Sequence, residues 1–438
     1  MAGDTGNGGR RGSMRGHAKA LVATATMSPA ATQTANHVPP DGPFRIGGLS
    51  CTDPIPLFGK LSMKAKYSLL LGFALCCLGV PMAMAQTLAG SPPNENPDRL
   101  LAIVQAGARK FGTKAVEFGM WVRNREVLTT ALGDSMTTVP ATTDMHYRIG
   151  GIGETFMSTL LLMLVEQGQI NLNDRISRWF PHLLAADRVT VRMLVANTAG
   201  YIDYVKVKAF LKAQLADPFR TFTDVELINY SVHDGKMNFA PGTSQQYSHT
   251  DNVILGQVIQ RATKRSMQEL YDENIFRRLS MKDTQFPVNQ EIQRPVLHAF
   301  TADRGFYEDN TYWNPSWGST PGLPTSNIFD LGRWGPIFGT GGLISRAHFR
   351  EQIAPTSVGK GKNRPNLYFA YGFVVANGWL VQNPSINGYS GAFGYNLAKG
   401  VTIVVEATKS ETATTDASAF DIFRNVVKYV TPESPINF

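Results

Sequence analysis

Tyr147-Arg-Ile-Gly-Gly-Ile-Gly-Glu-Thr-Phe156 runs straight into Met157-Ser-Thr-Leu-Leu-Leu-Met-Leu-Val-Glu-Gln-Gly168. A glycine-rich turn therefore feeds a segment that is apolar on nearly every side (Phe156, Met157, Leu160 to Val165). A helix with that pattern is buried. Its apolar run falls well short of the about 20 residues that a bilayer span needs. Gly168 supplies a C-terminal cap. The N-terminus of such a helix offers free N–H groups and a partial positive charge, a seat for an anion or oxyanion.

Three further stretches keep order with this one. Gly168-Gln-Ile-Asn-Leu-Asn-Asp174 follows the helix directly. Phe239-Ala-Pro-Gly-Thr-Ser-Gln-Gln-Tyr-Ser-His-Thr-Asp251 and Gly388-Tyr-Ser-Gly-Ala-Phe-Gly394 come later. Together they resemble the serine β-lactamases of the class C type, the D-alanyl-D-alanine carboxypeptidases and related esterases. In that family the turn reads roughly F-R-I-G-S-x-T-K-T-F. The second motif reads F-A-P-G-x-x-x-x-Y-S-N-T-N, and the third reads K/H-T-G on an edge strand. The resemblance spans about residues 98–430. It implies an α+β fold, β-lactamase/penicillin-binding-protein-like: an antiparallel sheet flanked by helices, plus a helical lobe over about residues 155–324.

The same resemblance places the family's reacting groups on unexpected residues. The nucleophilic serine stands at Gly151 and its partner lysine at Glu154, one helical turn apart on one face. Tyr247 and Ser248 are kept, and the family asparagine is His249. In the third motif the cationic residue is Tyr389, the hydroxyl is Ser390, and Gly391 permits close backbone approach. The resemblance implies an oxyanion hole from the N–H groups of Gly151 and Ala392. The family's H-T-S-G is here Asn197-Thr-Ala-Gly200, and Thr325-Ser-Asn-Ile-Phe-Asp-Leu-Gly-Arg333 resembles its S-T-x-x-D-L-x-R helix start. Thr325 or Ser326 is expected as the N-cap there. A glycine forms no acyl-enzyme, and losing one member of a catalytic set costs factors of about 10⁴ or more. An acid at position 154 also reverses the electrostatics on Tyr247 and should hold its phenol protonated.

Composition sets the remaining bounds. The 438 residues carry a formal charge of +8. Residues 1–85 hold eight Lys/Arg and three Asp/Glu, which leaves 34 against 31 in the remainder. No nucleic-acid partner follows from that small excess. The three cysteines, Cys51, Cys76 and Cys77, all precede residue 86, so the rest holds no disulfide, thiol nucleophile or cysteine metal site. Residues 1–62 are rich in Gly, Ala, Thr and Pro and read as disordered or as an over-extended start. Residues 63–85 have the layout of a secretory signal: Met63-Lys-Ala-Lys66, an apolar core from Tyr67 to Val80, then Ala83-Met-Ala85. Export to the periplasm or medium is expected, with no stable membrane span in the mature chain. Residues 86–97 are a linker, and 98–438 form one β-lactamase-related domain.

Within that domain, residues 98–112 read as a helix. Ala115–Val122 and Glu126–Leu132 read as a hairpin around Asn124. Strands return at Phe369–Val375, Gly378–Val381 and Val401–Glu406, and an amphipathic helix covers 415–430. Strands at both ends imply a sheet completed by the C-terminus. Glu154, Tyr247 and His249 form either an acid–base set acting on water or an acidic C–H, or a satisfied hydrogen-bonded cluster filling a vacated site. The literal S-x-x-K at Ser357–Lys360 lies in a polar loop without a following helix and reads as coincidence. Thr155 reads as a hydroxyl bonded to helix backbone. Tyr307, Tyr312, Trp313 and Trp317 line either the pocket mouth or a core under a long loop. No cofactor and no metal site is expected, since the histidines are scattered. The expected partner is a small-molecule or peptide-like ligand, with a protein partner as the alternative.

Overall fold

The structure, a computed structural model, describes residues 92–318 and 324–438. The stretch 1–62, the signal layout at 63–85 and the first part of the linker lie outside the described residues. Among the described residues no helix is long and apolar enough to cross a membrane.

Ten α-helices and thirteen strands, with five short helical turns between them, follow in chain order among the described residues. The first half runs α1 (Pro97–Phe111), β1 (Thr113–Val122), β2 (Arg125–Met136), β3 (Val139–Pro140), β4 (Tyr147–Arg148), α2 (Gly153–Glu166), α3 (Val191–Val195), α4 (Lys208–Ala216), α5 (Asp224–Val232), α6 (His249–Thr263) and α7 (Met267–Tyr271). The second half runs β5 (Phe300–Thr301), β6 (Glu308–Asp309), β7 (Thr325–Ser326), α8 (Ile328–Thr340), α9 (Arg346–Gln352), β8 (Leu367–Phe369), β9 (Val374–Ala376), β10 (Trp379–Gln382), β11 (Ser385–Ile386), β12 (Tyr389–Asn396), β13 (Val401–Lys409) and α10 (Ser418–Val430). The main sheet is antiparallel in the order β3-β2-β1-β13-β12-β10-β9-β8, with β11 against β12. The C-terminal β13 thus pairs with the N-terminal β1 from Val122↔Val401 to Thr113↔Lys409.

Alternation along these strands makes two cores. Val116, Phe118, Met120, Ile403 and Val405 face one way, where α10 brings Phe420, Phe423 and Val427 and α1 brings Leu100 and Val104. The opposite face meets α8 and α2, whose residues Gly153 to Leu164 are all inside. The end of α2 is a Schellman motif: Gly168 is left-handed at φ 71°, its N–H reaches Val165 O, and Gln169 N–H reaches Leu164 O. In the β1–β2 turn Arg123 and Asn124 are both left-handed, which suits a tight hairpin.

Two boundaries differ from expectation. The N-cap of α8 is Asn327, whose side chain accepts from Asp330 N at 2.9 Å. Thr325 and Ser326 are instead consumed in β7, paired with β4. The expected strand at 369–375 is interrupted between Phe369 and Val374, where Ala370 N–H reaches Phe373 O in a tight turn.

Close approach of α8 to the sheet depends on small residues. A Cβ on Gly335 would lie 2.3 Å from Thr402 Oγ1, and one on Gly339 1.9 Å from Tyr395 Cδ1. Thr402 is buried and β-branched, so it has little room to swing. Gly335→Ala should therefore destabilise by about 1–3 kcal/mol through overpacking, although alanine gains about 1 kcal/mol of helix propensity. A lower urea midpoint with an unchanged slope is the expected reading, and an unchanged or higher midpoint would refute the close contact.

Candidate active site

The turn before α2 positions the site. Gly150 has φ 51°, and a Cβ there would lie 2.7 Å from Pro384 Cβ, so this position demands glycine twice over. Gly151 is different. Its backbone is in an ordinary region, and a Cβ would point at Gln382 Oε1 (3.0 Å) and Glu154 Oε1 (3.6 Å). A small side chain at 151 would face the Glu154 carboxyl.

Glu154, in the first turn of α2, is buried. Its Oε1 accepts from the Tyr247 hydroxyl in a short contact and from Asn252 Nδ2 at 3.1 Å. Its Oε2 accepts from Gln382 Nε2 at 3.4 Å, and the same amide donates to Gly372 O at 2.5 Å. Burial pushes the carboxyl up to about 7, against the lowering effects of the Tyr247 hydrogen bond, His249 and Gln382. Burial, and then the Glu154 charge, hold the Tyr247 phenol well above its ordinary value. The pair is thus a protonatable carboxyl with a neutral phenol donating to it.

His249 begins α6. Its Nδ1 lies 3.1 Å from Asp203 Oδ1, and its backbone N–H donates to the same oxygen at 3.2 Å. The ring meets Tyr247 edge-on at 5.0 Å and lies 6.4 Å from Trp317. It touches the acid–phenol pair through ring packing rather than a hydrogen bond. Asn197 sets this loop: its left-handed backbone (φ 52°) lets its carbonyl take Gln246 N–H and its Oδ1 take Ser248 N–H.

The structure therefore brings together Gly151, Glu154, Tyr247 and His249. It separates the third motif from them. Strand β12 is interior, between β13 on one side and β10 and β11 on the other. Ser390 Oγ accepts from Ala419 N at 3.1 Å, capping α10 on the far face of the sheet. Ala392 is buried in the same far core, and its backbone lies in the sheet interior rather than at an edge. Gly391 N–H is taken by Pro384 O, and Tyr389 donates to Leu297 O at 2.6 Å. Ala392, expected to share an oxyanion hole with Gly151, stands opposite Val405 in the β12–β13 ladder, and the side chain that faces Gly151 is Gln382, at the end of β10. Alternation along β12 puts the side chains of Ser390 and Ala392 on the face that α10 covers.

Gln382, Asn252, Asp203 and Asn197 escaped the sequence reading as site residues. Gln382 had a signal, a polar residue closing the apolar run Trp379-Leu-Val381. Asn252 follows the second motif directly on the face of α6 that meets Glu154. Asp203 sits in a loop with no sequence pattern to mark it. The aromatic residues divide: Trp317 stands beside His249, Trp313 is buried, and Tyr307 donates to Lys409 O at 2.8 Å. Ser357 is buried and donates to Phe369 O at 2.5 Å, and Thr155 donates to Ile152 O at 2.7 Å.

A raised carboxyl has a definite linkage sign. Glu154 favours its protonated form in the fold, so its contribution is fully present below the unfolded value of 4.5 and is lost as pH rises through about 7. Glu154→Gln keeps the shape and removes the titration. The wild-type chain should lose up to about 3 kcal/mol relative to this variant between pH 4.5 and 8. Parallel urea midpoints across that window would refute the shift.

Comparison with known proteins agrees with this fold. The β-lactamase family model matches residues 101–426. Protein flp of Staphylococcus aureus is 25% identical over 153 residues, 34% of this chain and 29% of its own. Penicillin-binding protein 4* of Bacillus subtilis is 22% identical over 259 residues, 56% of this chain and 54% of its own. These matches span roughly a third to a half of the relatives' length. The D-stereospecific amidohydrolase from Streptomyces superposes with a TM-score of 0.67 at 22% identity, covering 76% of this chain and 99% of that one. The D-amino acid amidase from Ochrobactrum anthropi gives 0.67 at 18% identity, over 77% and 98%. With three quarters of its length matched by the family model and its fold shared with these structures, the chain belongs to the β-lactamase family.

Proposed function

We propose that this chain is an exported, non-acylating family member that binds a small-molecule or peptide-like ligand beside Glu154, Tyr247 and His249. One observation carries the reading. The position that faces Glu154 Oε1 and Gln382 Oε1 has no side chain, since it is Gly151. Beside it the Tyr247 hydroxyl is committed to Glu154 and Thr155 to Ile152 O, while the buried Ser248 Oγ has no hydrogen-bond partner among the described residues. Without an attacking oxygen at position 151, a carbonyl held there meets no nucleophile in the place of the family serine. Peptide-like amides are the ligand class in keeping with the amidohydrolase and amidase names of the solved structures it resembles.

A second reading has its own support. A carboxyl poised near 7 next to a phenol suits general acid–base work at neutral pH. On that reading the chain is a hydrolase or isomerase of β-lactam, peptide or ester substrates, with Glu154, Tyr247 and His249 moving protons and no covalent intermediate. Ester or amide turnover by the wild-type chain, lost in Glu154→Gln, would select it over the first.

Labelling tests the first reading directly. Wild-type protein should take up neither fluorescent penicillin nor a fluorophosphonate. Because Gly151 has ordinary backbone angles, the double change Gly151→Ser with Glu154→Lys should gain stable labelling by the penicillin. Stable labelling of the wild type would overturn the non-acylating reading. A folded double variant that stays inert would mean the pocket no longer accepts an acylating probe.

A further inference from the structure

A second cavity opens on the helical side of the chain, away from Glu154. It holds about 470 Å³ and lies between α6, the start of α5, and the segments 286–290 and 314–316. Small-molecule pockets span about 300–1,000 Å³. Gln257 and Gln260 line it from α6. His249 opens the same helix, and a rise of about 1.5 Å per residue puts the two glutamines about 12 and about 16 Å further along. None of the side chains that bond Glu154 lines this cavity.

The lining is rich in amides and poor in charge. Gln257, Gln260, Asn289, Gln290 and Asn314 all contribute, and Asp224 is the one charged side chain among the described lining residues. The Asp224 carboxylate accepts from Gln257 Nε2 at 2.5 Å. Among the described residues the side-chain amides of Gln260 and Gln290 form no hydrogen bond. The walls are otherwise tied down. Ser316 Oγ accepts from Phe222 N at 2.7 Å, and Asn314 Nδ2 donates to Thr221 Oγ1 at 2.9 Å and to Phe219 O at 3.2 Å. The buried Arg148 donates from Nη2 to Gln290 O at 2.6 Å and so anchors the 286–290 segment. Phe286 adds a half-buried ring, 5.7 Å from that of Tyr271, and Pro287 and Pro315 add apolar ribs.

These groups select a class of ligand. A side-chain amide is neutral and offers donors beside an acceptor, which matches neighbouring hydroxyls on one molecule. A phosphate or carboxylate would find no cation among the described lining residues to assist its hydrogen bonds. Peptides are recognised mainly on open strand edges or, as helices, in apolar grooves. None of these lining residues lies in a strand, and most are polar. An uncharged, many-hydroxyl ring compound fits what is present: amides for its hydroxyls, and Phe286 with the two prolines for its C–H faces.

We propose that this cavity is a subsite for a neutral saccharide, one or two sugar rings in size. It stands apart from Gly151, so it holds whether or not a carbonyl is acylated there.

The test titrates the full chain with maltose, cellobiose and N,N′-diacetylchitobiose, by calorimetry and by saturation-transfer NMR. At least one should bind with a Kd of about 10 mM or tighter. Gln260→Leu and Gln290→Leu keep the side-chain size and remove the hydrogen bonds, and each should weaken that sugar at least about fivefold. They sit on different segments and are both partly exposed, so one variant still reads the site if the other does not fold. N-acetylglycinamide is the peptide-like control, and neither variant should change its binding. Binding of none of the three sugars at tens of millimolar would overturn the subsite. So would sugar affinity that neither variant alters. Loss of N-acetylglycinamide binding in both variants, with no sugar bound, would make the cavity a peptide site instead and overturn it too. Penicillin labelling reads Gly151 and leaves the sugar titration unchanged.

Discussion

A single buried carboxyl ties four parts of the chain together. Glu154 comes from α2, Tyr247 from the loop before α6, Asn252 from α6 itself, and Gln382 from the end of β10. An ionised carboxylate in that position would bear a desolvation cost of several kcal/mol. Three donors offset part of it, and burial still outweighs them, so the group sits near neutrality rather than near 4.5. Each donor is thereby oriented by the acid it serves. The phenol points its proton at the carboxyl, and the Gln382 amide is divided between the carboxyl and Gly372 O.

The fold delivers these groups through long-range closure. Strand β13 joins β1, so residues near both ends of the domain share one ladder. That ladder carries β12, which carries β10 and hence Gln382. On the other side α8 presses on the sheet through Gly335 and Gly339 and also holds α2, where Trp334 Nε1 donates to Thr155 Oγ1 at 2.8 Å. Thr155 neighbours Glu154, so packing of α8 reaches the site through one hydrogen bond. Asn197 fixes the opposite wall by holding Gln246 and Ser248.

The first two motifs were legible because each is local. A glycine turn into an apolar helix, and a Pro-Gly turn into Tyr-Ser, place their side chains by short-range geometry alone. That Glu154 would meet Tyr247, far along the chain, came from the family resemblance and not from local geometry. The third motif failed because a strand's side-chain direction and its neighbours depend on sheet order. The letters Gly-Tyr-Ser-Gly do not say that β12 is interior, nor that Ser390 caps α10. Gln382 was legible only as a polar stop to a strand, and Asp203 not at all, since a loop sets it by tertiary contact. The N-cap of α8 slipped for a similar reason: Thr325 and Ser326 had a better use, pairing with β4.

Glu154 is also not the only buried acid. Glu117 and Glu406 stand opposite each other across β1 and β13, both buried, and among the described residues the Glu117 carboxyl has no hydrogen-bond partner. Like charges in that arrangement repel, and burial raises both carboxyls well above their ordinary value. Asp251, in the first turn of α6, is buried and raised as well. All four groups share one sign: each favours its protonated form in the fold, and each loses stability as pH rises through its folded value. A fall in stability of the wild-type chain toward alkaline pH is therefore a sum and assigns nothing to any one acid. Only the difference between Glu154 and its glutamine isostere cancels the other three and the further buried, raised carboxyl of Asp330. The acid that replaces the family's lysine is then read by itself, as a group whose charge the fold resists.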